Sequence, residues 1–497
     1  MPFQQPTGRS SRPSADTMSL KEKTVAALAW ALSQQLGAQF INLAVNILLA
    51  RMLLPAAFGM IAMLTVFIQV ASSLLDSGLT SSLIRDPKVA QADYSTVFFF
   101  NIGGAAVAYG LVFISAPLVQ EFYAQAGLAP VLRVYALVFV LNALFSVQNA
   151  RLTRQMDFKT QMAMQVPSVF AAGLVGLLLA YLGFGVWSLV WMNLCIAFLL
   201  ALLHWKFSSW RPSWVFSAVS FRKHFRFGYK MTLTGLLEIV YRNVYVLLIG
   251  KFYNAVQLGY YARADALSQL PVASISTVIG KVTYPMFSEI QDDHPRLKQL
   301  YKKIMQQVIF WNAPVLVCLA LVAKPLIVVL LTERWLPAVP YFQILALAGV
   351  LYPMHAYNLN ILKVKGRSDL VLRLEIIKKV FCVAGIAMVL PFGIYGLLYF
   401  QLAFSILGYY INSVYSGRLI GYAAAEQIAD MLPVLVSSGA STLFCLAAER
   451  YFLPDLSGRN FVHLFATTGL FFLAYGTISA VFRLQPAVDL KNIILKK

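Results

Sequence analysis

The chain has 497 residues, 59% of them hydrophobic and only 12% charged, with a mean hydropathy of +0.71. A soluble domain carries roughly 25% charged residues, so a water-soluble globule of this length is excluded. The net charge of +20 leaves two readings, a nucleic-acid partner or the orientation of a multi-pass membrane protein, and the placement of the cations decides between them.

Residues Met1 to Ser19 form a polar tail rich in Pro and Ser. It lacks the apolar core and small-residue cleavage site of a signal peptide, so the first span is read as an uncleaved insertion signal. Runs of about 20 apolar residues cross a bilayer. Such runs, separated by polar or Pro/Gly-marked breaks, predict an all-α integral membrane protein of about fourteen spans. They lie near 24–50, 57–80, 93–118, 129–150, 160–182, 185–205, 229–252, 256–288, 304–331, 338–362, 370–391, 393–417, 429–450 and 460–482. With a cytoplasmic N-terminus, 28 of the 40 Lys and Arg fall in cytoplasmic loops or at inner helix ends, and seven fall outside. That alternation follows the positive-inside rule and excludes a single basic face for nucleic acid. Both termini are then cytoplasmic.

The connection Phe207 to Lys230 interleaves aromatic and basic residues, as an interfacial segment on anionic headgroups would, although a plain domain connector explains it too. A repeat supports a division there: LLARMLLPAAFGM from Leu48 is matched by LIGKFYNAVQLGY from Leu248, pairing Arg51 with Lys251 and Gly59 with Gly259. The implied organisation is a tail at 1–20, an N-lobe of six spans at 21–206 and a connector at 207–228. A C-lobe of six spans follows at 229–417, with the last two spans and a cytoplasmic tail at 418–497. Six spans per half make the halves parallel, related by a pseudo-two-fold along the membrane normal.

An ionisable group inside a span is costly unless paired or wet, so each is a candidate site residue. Arg242 lies mid-span with Glu238 one turn before it, at the spacing of a helix-internal ion pair; an anionic-substrate anchor is the rival reading. Lys378 and Lys379 follow Glu375 and could equally snorkel to the headgroups, as could Arg263 beside Asp265. Asp76 either binds a coupling ion or caps a loop. In the first span Gln35, Gln39, Asn42 and Asn46 form a polar stripe at helical spacing, suited to helix–helix hydrogen bonds or to a hydrophilic passage.

Catalytic and metal signatures are missing. Gly250-Lys251 and Gly280-Lys281 are not followed by Ser or Thr, so no P-loop forms. The five histidines are scattered, and Cys195, Cys318, Cys382 and Cys445 sit in apolar runs as buried thiols. The outer loops are too short and acid-poor for a membrane glycosyltransferase, so neither an enzyme nor a cofactor is expected.

Several stretches resemble bacterial polysaccharide flippases, the Wzx-like and teichuronic- or colanic-acid-exporter-like branches of the MOP superfamily. These are ARMLLPAAFG at Ala50, DSGLTSSLIRD at Asp76, ARLTRQMDFK at Ala150, LGYYARADALSQLP at Leu258, YPMFSEIQDD at Tyr284 and KGRSDL at Lys365. The resemblance implies two six-helix lobes around a cationic cavity that work by alternating access. The implied substrate is an oligosaccharide on a polyprenyl pyrophosphate, moved from inner to outer leaflet of the bacterial inner membrane for polysaccharide export. Arg242-Asn243 is similar to an Arg-Asn pair of relatives, which often carry an acid two positions later; here Tyr245 stands there. Substrate contacts are then expected from Arg242, Lys378, Lys379, Arg263 and the amides of the first span. Glu238 and Asp76 are candidates for coupling to a proton or sodium gradient. Membrane lipids, a polysaccharide polymerase and export machinery are the expected partners, nucleic acid is not one, and a multidrug or small-solute exporter of the same superfamily is the alternative.

Overall fold

A backbone in hydrocarbon has no water to bond, so every amide must be satisfied inside its own segment and the apolar runs fold as helices. The computed structural model of the protein describes residues 20–76, 78–452 and 460–495, with the side chains of Asp76 and Lys281 outside what is described. Among the described residues there is no strand. The helices are α1 (Leu20–Met52), α2 (Pro55–Asp76), α3 (Leu79–Arg85), α4 (Gln91–Tyr123), α5 (Leu128–Tyr135), α6 (Val138–Arg154), α7 (Phe158–Tyr181), α8 (Val186–Phe207) and α9 (Ala218–Arg242). They continue as α10 (Val244–Phe252), α11 (Ala255–Glu289), α12 (His294–Leu321), α13 (Ala323–Leu331), α14 (Val339–Gly349), α15 (Tyr352–Val364), α16 (Ser368–Val389), α17 (Gly393–Ile420), α18 (Ala424–Phe452), α19 (Asn460–Val481) and α20 (Gln485–Leu495).

Among the described residues, ten helical stretches are long and apolar enough to cross a membrane, eleven when the pair α9–α10, bent by 49°, counts as one span. The expected fourteen is higher for identifiable reasons. Residues 368–420 form one apolar stretch that holds both α16 and α17. α1 and α11 have the length, at 33 and 35 residues, but α1 carries the amides and α11 carries Arg263, Asp265 and Lys281. The all-α membrane class stands; length and composition alone do not establish fourteen crossings.

The helices divide into two units, one of Met1–Met52 and Leu64–Val240, the other of Leu53–Met63 and Tyr241–Lys497. The division falls inside α2 and near the end of α9 rather than in the connector. In the first unit α1 and α7 run side by side in the same direction. Gln34 donates to Gln165, Gly37 faces Val166, and Gly173 makes room for Val45, whose methyl would lie 2.6 Å from any added Cβ. Small residues at such a seam let two backbones approach where lipid supplies no hydrophobic drive.

The connector is stitched to the start of α4. Trp210 donates to Gln91 at 2.6 Å, Ser213 and Ser95 share a 2.9 Å hydrogen bond, and the Ser217 amide donates to Thr96. The first turns of α9 then dock on α3 and α4. His224 is fully buried, with Nδ1 2.8 Å from Ser82 Oγ and Nε2 3.4 Å from Asp93, and Lys223 pairs with Asp86. The Lys223 ammonium holds the Asp86 carboxyl below its ordinary range and is itself raised by it, while burial lowers the His224 imidazole.

In the second unit the core is aromatic, with Phe287, Tyr301, Tyr357 and Tyr422 fully buried together. Their polar ends are satisfied internally: Tyr301 donates to Asn358 Oδ1 at 2.7 Å and Tyr357 to the Tyr301 carbonyl at 2.9 Å. The basic start of α12 binds the last helices through Lys298 to Glu426, Lys302 to Asp430 and Lys303 to Asp489.

The sequence repeat has a direct structural counterpart here. Each copy is a helix end, a two-residue break and a new helix: α1 gives way to α2 at Pro55, α10 to α11 at Ala255, where Asn254 caps by accepting from the Gln257 amide. A Cβ on Gly59 would fall 1.7 Å from the Ala255 carbonyl oxygen, and one on Gly259 would fall 2.0 Å from that of Pro55. Residue 59 of one copy thus faces 255 of the other, and 259 faces 55. The two first turns cross backbone to backbone about a local two-fold axis, and only glycine fits at either crossing point.

Candidate functional site

Two groups of polar side chains bear on the residues singled out from sequence, one in each unit. In the first, α1 turns Gln34 toward α7 and leaves the neighbouring stripe outside that seam. Gln35 and Gln39 are exposed, and among the described residues no protein group hydrogen-bonds their side chains. Asn42 and Asn46 are half-buried, with Asn46 donating to the Asn42 carbonyl at 2.8 Å. Gln34 is thus satisfied helix to helix at the seam, while Gln35 and Gln39 present open donors and acceptors.

The second group gathers on α15, α16 and α17. Lys378 is buried and donates to Glu375 at 2.5 Å. Asn412, fully buried, donates to His355 Nδ1 over 3.4 Å. Gly408 makes room for both sets: a Cβ there would meet His355 Cε1 at 3.1 Å and Lys378 Cδ at 3.9 Å. One residue along α16, Lys379 turns elsewhere, its ammonium 5.2 Å from the centre of the Tyr241 ring. Lys379 thus links α16 to the last turn of α9, just before the bend.

That bend places Arg242. The axis turns by 49° between α9 and α10, with the exposed Arg242 as the last residue of α9 and Asn243 as the first cap of α10. Glu238 is half-buried one turn earlier. A helix break exposes backbone groups that need partners, and a cation at such a break has a ready site for an anion. Arg263 is placed differently: its guanidinium lies over the Phe58 ring at 4.0 Å, in a cluster with Trp335 and Tyr260. Its cation lies on an aromatic face. Asp265 accepts from Gln269 at 3.5 Å, and Asp76 lies outside the described side chains.

The structure therefore joins Lys378 to Glu375, gives Lys379 and Arg263 separate aromatic partners, and puts Arg242 at a bend. His355, Asn412 and Gly408 are additions to the residues singled out from sequence. For Gly408 and Asn412 the signal is a small and polar stripe along the twelfth predicted span, with Ser413 and Ser416, at helical spacing; His355 on α15 has no such signal. Among the described residues no three His, Cys, Asp or Glu side chains gather as a metal site would need. A cavity of about 520 Å³ between α6, α7 and α8, lined by Leu137, Val175, Leu179, Trp191 and Phe198, is apolar throughout and offers nothing to a sugar or phosphate.

The family described as "Polysaccharide biosynthesis protein" matches residues 48–340. The chain belongs to this family. Among curated proteins, this polysaccharide biosynthesis protein is 26% identical over 318 residues to the teichuronic acid biosynthesis protein TuaB of Bacillus subtilis, covering 62% of this chain and 63% of TuaB. It is 24% identical over 406 residues to the lipopolysaccharide biosynthesis protein WzxC of Escherichia coli, covering 79% and 82%. Among solved structures, the lipid II flippase MurJ superposes with a TM-score of 0.70 at 13% identity, covering 92% of this chain and 98% of MurJ. A multidrug resistance MATE family transporter of the MOP superfamily does so with a TM-score of 0.56 at 16% identity, covering 80% and 98%. At these identities the two structures speak for the fold alone, which this chain shares with them.

Proposed function

We propose that the protein moves an oligosaccharide carried on a polyprenyl pyrophosphate from the inner to the outer leaflet of a bacterial inner membrane, by alternating access, for export of a cell-surface polysaccharide. The observation that carries the reading is the open amide face of α1. Gln35 and Gln39 stand exposed without a protein hydrogen bond, and with α1 crossing the membrane as proposed this is a position lipid cannot satisfy and sugar hydroxyls can. The family match and the polysaccharide pathways named for TuaB and WzxC support the same substrate class. Arg242 is the proposed contact for the pyrophosphate, because a guanidinium binds phosphate oxygens in pairs. Glu238 is the proposed coupling group for a proton or sodium gradient. The Lys and Arg bias supports cytoplasmic termini, and the polysaccharide polymerase and export machinery are the proposed partners.

The test is genetic and chemical. Deleting the gene should strand carrier-linked repeat units on the inner leaflet; rising drug sensitivity with no stranded carrier would instead favour the small-solute exporter. Arg242→Ala should abolish export while the protein still inserts, and undiminished export would remove Arg242 from the site.

A further inference from the structure

The first turns of α9 present two faces. One is locked onto the first unit through His224, through Lys223 paired with Asp86, and through Phe221 and Phe225 against Phe100. The other carries Val219, Arg222 and Arg226, all exposed, and among the described residues neither arginine makes an ion pair or hydrogen bond. Ala218, Val219, Arg222, Lys223 and Arg226 line a concavity of about 380 Å³, within the ~300–1,000 Å³ range of small-molecule sites. Just before it the connector holds out Trp214, 94% exposed, and Phe216, 56% exposed. A large exposed indole next to unpaired guanidiniums is costly in water and favourable at a membrane interface, where the ring sits among headgroups and the cations meet phosphate.

We propose that this face of α9, with Trp214 and Phe216, is a binding site for the headgroup of an anionic phospholipid in the inner leaflet. Arg222 and Arg226 stand one helical turn apart and take the phosphodiester. Val219 and the two aromatic rings take the glycerol and the upper acyl chain. The docked face fixes the platform, so the lipid meets cations already in place rather than a loop that must be ordered. The inference rests on the orientation proposed above, which puts the connector on the inner side, but not on what the protein transports.

Purified full-length protein in uncharged detergent, titrated with phosphatidylglycerol or phosphatidylcholine and read by native mass spectrometry, tests the site. The wild type should retain phosphatidylglycerol preferentially. Arg222→Gln with Arg226→Gln should weaken that retention about thirtyfold, from about fivefold for each juxtamembrane cation, with an unchanged melting temperature. Arg222→Lys with Arg226→Lys should keep most of it. Equal retention by the glutamine variant, or no preference over phosphatidylcholine in the wild type, overturns the proposal. Displacement of the lipid by inorganic pyrophosphate also overturns it, by assigning the cations to a soluble anion. Export in cells is a separate readout, so failure here leaves the proposed transport reading untouched.

Discussion

α1 and α16 are both long membrane helices with polar side chains in their interiors, and they treat those side chains in opposite ways. α16 buries Lys378 and supplies the opposing carboxylate, Glu375, from its own preceding turn. α1 leaves Gln35 and Gln39 exposed. The difference follows from what each group costs when unsatisfied. A buried ammonium without a counter-charge costs several kcal/mol, so the fold must supply its partner in advance. An amide is neutral and can be left open for a ligand at modest expense. The charge on α16 is therefore closed by its own helix, and the amides Gln35 and Gln39 on α1 are neutral and left open.

The contrast breaks most visibly at Glu375. Glu375→Ala strands Lys378 and should cost toward the low end of the ~3–5 kcal/mol of a broken buried pair, because Glu375 remains about a third exposed. Thermal unfolding in detergent measures it, and adding Lys378→Met should restore most of the loss. If the single variant melts like the wild type, Lys378 is not held by this pair.

The opposite signature is expected on α1. Gln35→Leu with Gln39→Leu should leave the melting temperature nearly unchanged while lowering export about tenfold, the worth of one or two hydrogen bonds to substrate. Equal losses of stability and export would make the stripe structural. Gln34→Leu is the control between these extremes: it orphans Gln165 across the α1–α7 seam, at about 0.6 kcal/mol for such an interhelical bond, with export preserved.

The smallest effect should come from pH. Burial lowers the His224 imidazole below its ordinary 6.5, despite the opposing pull of Asp93 and alongside the repulsion of Lys223. The unfolded chain then binds the proton more readily, so this contribution to stability is fully present above about pH 6.5 and is lost as the pH falls toward the folded value. Melting between pH 7.5 and pH 5.5 should fall more steeply for the wild type than for His224→Asn, and parallel curves would contradict the assignment.

Much of this was legible in the sequence. Apolar length marks the helices because hydrocarbon enforces it, and the Arg51–Lys251 repeat led to a crossing where each glycine faces the first residue of the other copy's second helix. Arg242 was marked by its charge, although no Pro or Gly foretold the bend beside it. What stayed hidden depends on contacts between distant helices. His355 and Asn412 lie far apart in the chain, and nothing in the sequence pairs them until Gly408 lets α17 approach α15. The stripe on α1 was visible, but its division into a seam amide and open amides needed α7 in place. Span counting met its limit at α1 and α11, because the residues that make those helices interesting also depress their hydropathy.

The Gly59–Gly259 crossing has a bearing on how such a chain can change over time. A side chain gained in either copy must lodge against the other copy's first turn, around one shared axis. The two matching segments, free to drift elsewhere, are held to a common restriction at this point. Enlarging the first should make enlarging the second cheaper than it would be alone, so the two positions should change together or not at all.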